Sequence, residues 1–521
     1  MSASPVRSRS QSVAAMLGIC LVMLLIALDQ TVVGTALPRV VAELQGFALY
    51  QWVASAYLLT TAVMIPIAGR LGDLHGRKGL VLAAIVLFTL ASALCGMADS
   101  MLQLVLARGL QGIGGGMLAG TAFACVSDLF PEPLERVRWQ AMLSASFGIA
   151  TAMGPVLGGW LTEHLGWRSV FYVNLPVALL ALPVVWIFLP HIVHRRADDA
   201  GIDWGGALLL TLSMCGLLLA SEQGATLGFG NPLYWAIVVA AIVLCTVFVR
   251  HQRRSRAPVI PAHLFSTPAV RQLCVISALT GLAMFVLVFY APLLLQGGFG
   301  FSPKMAGLLV TPLLVCVTIG SIINGRLMPR LAHPEKLMSW GLLGLMAGCA
   351  LLVTLEHDSP VIWLALVFGL CGLSLGFQLP NLTLQVQSAV TRQDTGIASA
   401  LIQTNRTLGS MFGASLAGML VNVRYGHEIG AALAGSGVTD ARVTQLFDSP
   451  QLLVRAQDLQ TLSALSHAGG FDTAALVEQA RLGLVSGIHL AFAGCVLIAG
   501  ISFAISRRLP PFADQRTDGP A

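Results

Sequence analysis

Long apolar runs, broken by short polar or charged stretches, recur from near the start of this chain to near its end. They number fourteen, at about 14–36, 48–68, 79–98, 102–125, 139–162, 168–190, 204–222, 232–250, 270–296, 303–325, 337–355, 360–381, 396–421 and 485–506. Each is close to the ~20 residues a helix needs to cross the hydrocarbon core of a bilayer. A membrane β-barrel would instead show alternating strands of roughly ten residues. The pattern predicts an all-α polytopic membrane protein with fourteen transmembrane helices. The first run has no small-residue cleavage site before its polar Asp29, and many spans follow, so it reads as a retained helix rather than a signal peptide.

The runs fall into three blocks. Residues 1–195 hold a six-helix bundle. Residues 196–256 hold a two-helix insertion and a cytoplasmic linker ending in RHQRRSR. Residues 257–521 hold a second six-helix bundle, with a long polar loop at about 422–484 before its last helix. Apolar residues are loosely spaced in that loop, as in LLVRAQDLQTLSAL, which fits short amphipathic helices; a loop this long is either functional or flexible. Gly-Arg-Leu recurs where GRLGDLHGRKG (69–79) joins the second and third spans and where GRLMPR (325–330) takes the corresponding place in the second half. Six plus six helices with matching loops is the layout of a transporter built from two repeats around a midplane site.

Composition agrees. Of 521 residues, 56% are hydrophobic and 10% charged, against about 25% charged in a soluble domain. The 54 glycines suit close helix packing in a membrane. The net charge of +6 does not point to nucleic acid, because the basic residues cluster in alternate loops: Arg70, Arg77 and Lys78; Arg136 and Arg138; Arg195 and Arg196; Arg250, Arg253, Arg254 and Arg256; Arg326, Arg330 and Lys336; Arg507 and Arg508. The other short loops carry little beyond Arg39, Arg168 and Lys304. This positive-inside pattern places both termini in the cytoplasm of a cell (inner) membrane protein. The ten cysteines form no CxxC or CxxH pair and read as small buried apolar residues. The chain shows no metal cluster, cofactor motif, nucleophile–base set or Walker motif, so neither an enzyme nor an ATP-driven pump is expected.

The candidate chemistry is sparse charge at membrane depth. Asp29 lies midway along the first run, where insertion of a bare carboxylate costs roughly 2.5–3.5 kcal/mol; a lone acid there suits a proton or cation site. Arg108, about seven residues into the fourth helix, needs a partner such as Asp29 or a water-filled cavity, unless it snorkels to the cytoplasmic face. Asp73 and Arg77 are four apart and pair if their segment is helical; with Asp128 they would make a charge cluster at the inner end, the alternative being that Arg77 and Lys78 only set topology. The glycine run at 112–116 is mid-helix with no preceding strand, so it serves close packing rather than a phosphate cradle. Gly154 and Gly158 form a GxxxG contact face, and Pro155 permits a kink. Asn405 and Arg406 lie about ten residues into the thirteenth run; Arg406 serves a substrate site, anchors a helix or meets cavity water. Tyr57, Gln111, Phe289, Gln378, Asn405 and Arg406 are the candidates for a substrate cavity.

Four patches occur in order: LDQTVVGTALP (28–38), GRLGDLHGRKG (69–79), RGLQGIGGG (108–116) and GIATAMGPVLGGW (148–160), the last followed by WRSVFYVNLP. Together they resemble the major facilitator superfamily, and within it the fourteen-helix drug:proton antiporter family. The resemblance implies proton coupling through Asp29 and Arg108. It implies a cytoplasmic gate at Gly69, Asp73, Gly76, Arg77 and Asp128, and an antiporter motif at Gly148, Gly154, Pro155, Gly158 and Gly159, with generic helix packing as the plainer account of those glycines. The function it implies is proton-driven export of amphipathic compounds, with the bilayer, protons and a small-molecule substrate as partners. Some relatives work with a periplasmic adaptor, which the 422–484 loop could contact. The alternatives are an exporter of one native metabolite or lipid-like molecule, and a receptor or scaffold that moves nothing.

Overall fold

The computed structural model describes residues 9–44, 49–130, 132–191, 203–227, 231–255, 258–331, 333–391, 394–436, 440–447, 450–453, 460–465 and 472–510. The predicted block boundaries at 195/196 and 256/257, with Arg195, Arg196 and Arg256, lie outside these. Among the described residues the regular structure is helical. In chain order the helices are α1 (Arg9–Leu44), α2 (Tyr50–His75), α3 (Arg77–Gly96), α4 (Met101–Leu129), α5 (Pro133–His164), α6 (Ser169–Tyr172), α7 (Asn174–Phe188), α8 (Trp204–Leu227), α9 (Pro232–Arg254), α10 (Pro268–Leu293), α11 (Pro303–Leu327), α12 (Lys336–Val353), α13 (Val361–Ser388), α14 (Thr395–Ser436), α15 (Ala441–Phe447) and α16 (Thr473–Ser506).

Each predicted apolar run falls on one of these helices, or on the α6–α7 pair. Among the described residues, eleven spans are long and apolar enough to cross a membrane, twelve if the two arms of α5 count as one. The arms, Glu135–Thr151 and Val156–His164, meet at 41°; Pro155 lies in the interval between them. The apolar part of α8 is short, Trp204–Ala220. α14, which carries the polar succession Gln403, Thr404, Asn405, Arg406 and Thr407, is not among the eleven.

Two predicted loops are largely helix. The segment 69–79 is the last two turns of α2 and the first of α3, interrupted only at Gly76, whose φ of 88° is a left-handed conformation that glycine adopts at no steric cost. The 422–484 loop shrinks from both ends, because α14 continues to Ser436 and α16 starts at Thr473. Polar residues there suggested a loop, but one face of each extension is apolar: Val421, Tyr425 and Ile429 share a core with Leu476, Ala480 and Leu484. Between them lie α15 and a 3-10 turn, Pro450–Leu453.

The helices assemble as two groups. In the first, α1 packs against α5 and α7, α2 against α4, and α3 against α4 and α7. In the second, α10 packs against α14 and α16, α11 against α13, and α12 against α13 and α16. The groups meet through α5 on α11, α2 on α14 and α4 on α14. The α8–α9 hairpin leans on α2 and α14 through α8, and α9 is almost wholly outward-facing.

Close approach of α4 to α2 is set by glycines one turn apart. A Cβ at Gly112, Gly116 or Gly120 would strike the backbone of Tyr57, Thr61 or Ile65 respectively. The hydroxyl of Thr61 crosses the seam to donate to the Gly112 carbonyl at 3.1 Å. This seam fixes the depth at which α4 presents Arg108 and Gln111.

Candidate functional site

Asp29 is wholly buried, and it faces the interior of its own group rather than the space between the groups. Its Oδ2 accepts from Arg108 Nη1 at 2.6 Å. Its Oδ1 accepts from Gln111 Nε2 at 2.7 Å and from Asn174 Nδ2 at 2.9 Å. Three helices, α1, α4 and α7, thus converge on one carboxylate, and α3 supplies Ser92, whose Oγ accepts from both Gln111 Nε2 (2.7 Å) and Asn174 Nδ2 (3.2 Å). Arg108 also donates to Gln111 Oε1 at 2.6 Å and to the Val53 carbonyl at 3.3 Å. Its guanidinium carbon stands 4.2 Å from the centroid of the Tyr57 ring. Arg108 is 2% exposed, so it does not snorkel; its charge is met by the acid, the amide and the aromatic face.

A second charge cluster lies at the other end of α4. Arg77 pairs with Asp73 at 2.7 Å and with Asp128, and donates to the Ala124 carbonyl at 3.0 Å. The second oxygen of Asp73 accepts from the Ile397 N–H at 3.0 Å. Ile397 is in the first turn of α14, where unsatisfied N–H groups and the helix dipole favour a carboxylate. The acid therefore clasps the second group as well as its own, and a Cβ at Gly396 would strike it. Gly69 stands against Ala400 of α14. Gln387 of α13 donates to the Phe123 carbonyl of α4 at 3.3 Å, and Ser127 donates to Thr395 Oγ1 at 3.4 Å. These contacts shut the groups together at the Asp73 end. At the opposite end Arg168 pairs with Glu43 and Asp99 inside the first group.

The α5 glycines serve both directions. Gly148 faces Thr318 of α11, across the groups; Gly154 faces Thr31 of α1, within its own. Gly158 is buried, whereas Gly159 is exposed with open space beside it.

The residues expected to line one substrate cavity are scattered. Gln111 and Tyr57 belong to the buried centre around Asp29 and are 0% and 1% exposed. Gln378 is a strut inside the second group, donating to the Gly341 carbonyl at 3.1 Å and accepting from Thr280 at 3.2 Å. Asn405 donates to the Leu401 carbonyl of its own helix. Phe289 is exposed and stacks on Phe285, centroids 4.1 Å apart. Arg406 is partly buried and makes no ion pair or side-chain hydrogen bond with any described residue. Sequence reasoning missed Ser92, Asn174 and Ile397 as site residues. WRSVFYVNLP held the only cue for Asn174, and nothing distinguished Ser92.

Buried charge on bundled apolar helices, clasped at one end between two groups, fits a multi-pass helical membrane protein. The Major Facilitator Superfamily profile matches residues 19–414, and the chain belongs to that superfamily. It is 33% identical over 419 residues to the multidrug transporter protein MdtP of Bacillus subtilis (strain 168), covering 79% of this chain and 75% of that one. It is 30% identical over 443 residues to multidrug resistance protein 3 of the same organism, covering 84% and 86%. Among solved structures, the human organic anion transporter MFSD10 (TETRAN) superposes with a TM-score of 0.63 at 16% identity, over 95% of this chain and 99% of that one; at that identity the likeness concerns fold alone. The chain is thus a transporter of small molecules and not an enzyme.

Proposed function

We propose that this protein is a proton-coupled exporter of amphipathic compounds, of the fourteen-helix drug:proton antiporter type, in the inner (cell) membrane with both termini cytoplasmic. The observation that carries the reading is the Asp29 carboxylate, fully buried and held by Arg108 at 2.6 Å. Protonating that acid removes the negative partner of Arg108, so a proton on Asp29 and the Asp29–Arg108 pair exclude each other. The Asp73–Arg77–Asp128 cluster, tied to the first turn of α14, is the cytoplasmic gate in its shut state. Gly148 of α5 lets the two groups rock closely past each other at Thr318. Relatives named for multidrug transport and resistance support the drug class of cargo.

The cycle follows from these parts. With the inner end shut, Asp29 takes a proton from the outer side and releases cargo. Rocking parts the Asp73 clasp, and the proton leaves inward as Arg108 re-forms its pair. One charge crossing 100 mV is worth about 2.3 kcal/mol, enough for a cargo gradient of roughly 50-fold at 1.4 kcal/mol per decade.

The test uses purified protein in liposomes carrying an imposed pH gradient and a fluorescent cationic dye. Asp29→Asn is expected to retain dye binding and lose gradient-driven accumulation. Uphill pumping that survives the substitution and still collapses with an uncoupler would overturn the reading. Competition among chemically unrelated dyes separates a broad exporter from one dedicated to a single metabolite, and any gradient-driven flux excludes a receptor.

A further inference from the structure

Every bond that Asp29 receives comes from a donor: Arg108 to one oxygen, Gln111 and Asn174 to the other. That arrangement suits the carboxylate anion. A protonated acid must donate one hydrogen bond, and in a site with no exposure an unmade O–H bond is costly. The partners differ in what they could accept. A guanidinium has no acceptor at all. The Gln111 carbonyl oxygen is already engaged, by Arg108 Nη1 at 2.6 Å and by the Cys95 thiol at 3.6 Å. Asn174 is different: its Nδ2 serves Asp29 and Ser92, while its Oδ1 is buried and accepts no hydrogen bond from any described residue.

We infer that Asn174 is the positioning residue that receives the acid proton of Asp29, by turning its side-chain amide over. The inference rests on the reading that Asp29 is the proton carrier. A half-turn about the last side-chain torsion exchanges Oδ1 and Nδ2 in nearly the same places. The carbonyl then stands where Nδ2 now stands, 2.9 Å from Asp29 Oδ1 and 3.2 Å from Ser92 Oγ. A hydronium ion arriving from the outer side gives its proton to Asp29 Oδ1 and leaves as water. The new O–H donates to Asn174 Oδ1. Ser92, whose hydroxyl is a free rotor, turns from accepting to donating toward the same carbonyl. Gln111 keeps its bond to Asp29, and Arg108 loses its anionic partner and is free to move. No bond other than O–H is made or broken, and the proton returns to water when the amide turns back.

The other titratable groups around Asp29 do not substitute for Asn174. Arg108 and the Tyr57 phenol flank it from α4 and α2, and Cys95 from α3. Tyr172 of α6 lies over Gly96. α7 carries no titratable side chain, and those of α5 lie at 135–138 and 163–164, at its two ends.

The experiment is infrared difference spectroscopy of the whole protein in liposomes, acid minus neutral. A carboxylic acid band titrating in the wild type and absent from Asp29→Asn is expected; its persistence in Asp29→Asn overturns the proton-carrier reading itself. Asn174→Leu, close in shape but unable to accept, is expected to move that band to higher wavenumber, as an acid that donates no bond vibrates. Asn174→Thr, whose hydroxyl both donates and accepts, is expected to bring it back. An unmoved band in Asn174→Leu overturns the role of Asn174 alone. A second measurement needs no change at position 174. With 13C-labelled asparagine, one amide carbonyl band should fall in frequency on acidification of the wild type and not in Asp29→Asn. Absence of that shift also overturns the inference.

Discussion

In the first group α4 lies against α2 through Gly112, Gly116 and Gly120, facing Tyr57, Thr61 and Ile65; in the second, α13 lies against α11 through Gly372 and Gly376, facing Leu313 and Val317. The backbone seams match, yet the charges do not. The first group buries an acid and an arginine on each other, with two amides and a serine completing the shell. The second group buries neutral pairs, Asn381 on Asn324 and Thr280 on Gln378, and leaves Arg406 without a carboxylate among the described residues. Duplicated packing therefore supports two different electrical roles. A titratable pair can change charge within a cycle; a lone guanidinium cannot, because it stays protonated at every relevant pH. On the proposed reading, proton handling belongs to the first group alone, while the second holds a fixed positive charge at Arg406.

The sharpest way to break this contrast is to remove each arginine. Arg108→Ala strands the Asp29 carboxylate in a dry interior, and breaking a buried pair costs about 3–5 kcal/mol. Thermal unfolding in detergent should show a large loss of stability, partly recovered in the double variant Asp29→Asn with Arg108→Gln. Arg406→Ala strands nothing and should leave the melting temperature unchanged or raised. Equal losses from the two single substitutions would mean that Arg406 has a carboxylate partner and that the halves are alike.

Next in size is the clasp that joins the groups. Asp73→Asn keeps the shape but weakens charge-assisted bonds to Arg77 and to the first turn of α14. A loss of about 1–3 kcal/mol shifts an open–shut equilibrium by roughly 5–150-fold. Spin labels at the exposed Arg138 and Arg326 positions should report a longer separation in the variant. An unchanged distance distribution would mean that packing, such as Gly69 on Ala400, holds this end without help from charge.

The seams are where the halves should agree. Gly116→Val and Gly376→Val both force side chains into facing backbone, so each should cost a similar amount, about 1–3 kcal/mol for overpacking. Unfolding midpoints within a few degrees of each other would support the match, and tolerance at one site alone would break it. Gly159→Ala, which meets open space, is the control.

How much of this was legible beforehand depended on whether the signal was local. Runs of about twenty apolar residues marked the helices because the bilayer imposes that length. Asp29 and Arg108 stood out because charge at such depth is rare. The shell around them was not legible: Ser92 and Asn174 lie on other helices, and a serine or asparagine in an apolar run has many uses. The partner of Asp73 is 324 residues away and is a backbone N–H, which carries no side-chain signature. Gln111 and Gln378 read as cavity residues because polarity in a span suggested water; each is instead consumed by bonds between helices. The 69–79 stretch looked like a loop because its charges are dense, but it is helical on either side of Gly76, with Asp73 and Arg77 paired across the break.

The smallest effect concerns the exposed end of the first group, and it asks whether charge or burial makes the difference between regions. Glu43 accepts from Trp167 Nε1 at 2.9 Å and pairs with Arg168, yet both partners of the ion pair are open to solvent. The hydrogen bond from Arg168, then that from Trp167, holds the Glu43 carboxyl below its usual range. A carboxyl lowered in the folded state contributes stability above its ordinary value of about 4.3 and loses it as pH falls through the lower folded value. The clasp should therefore persist unchanged from neutral pH down to about that value and release only below it. Trp167 emission, taken as the difference between wild type and Trp167→Phe, should follow that course, and high salt should weaken the clasp across the range because exposed pairs are screened. Release well above that value, or indifference to salt, would mean that exposure is not what sets this pair apart from a buried one.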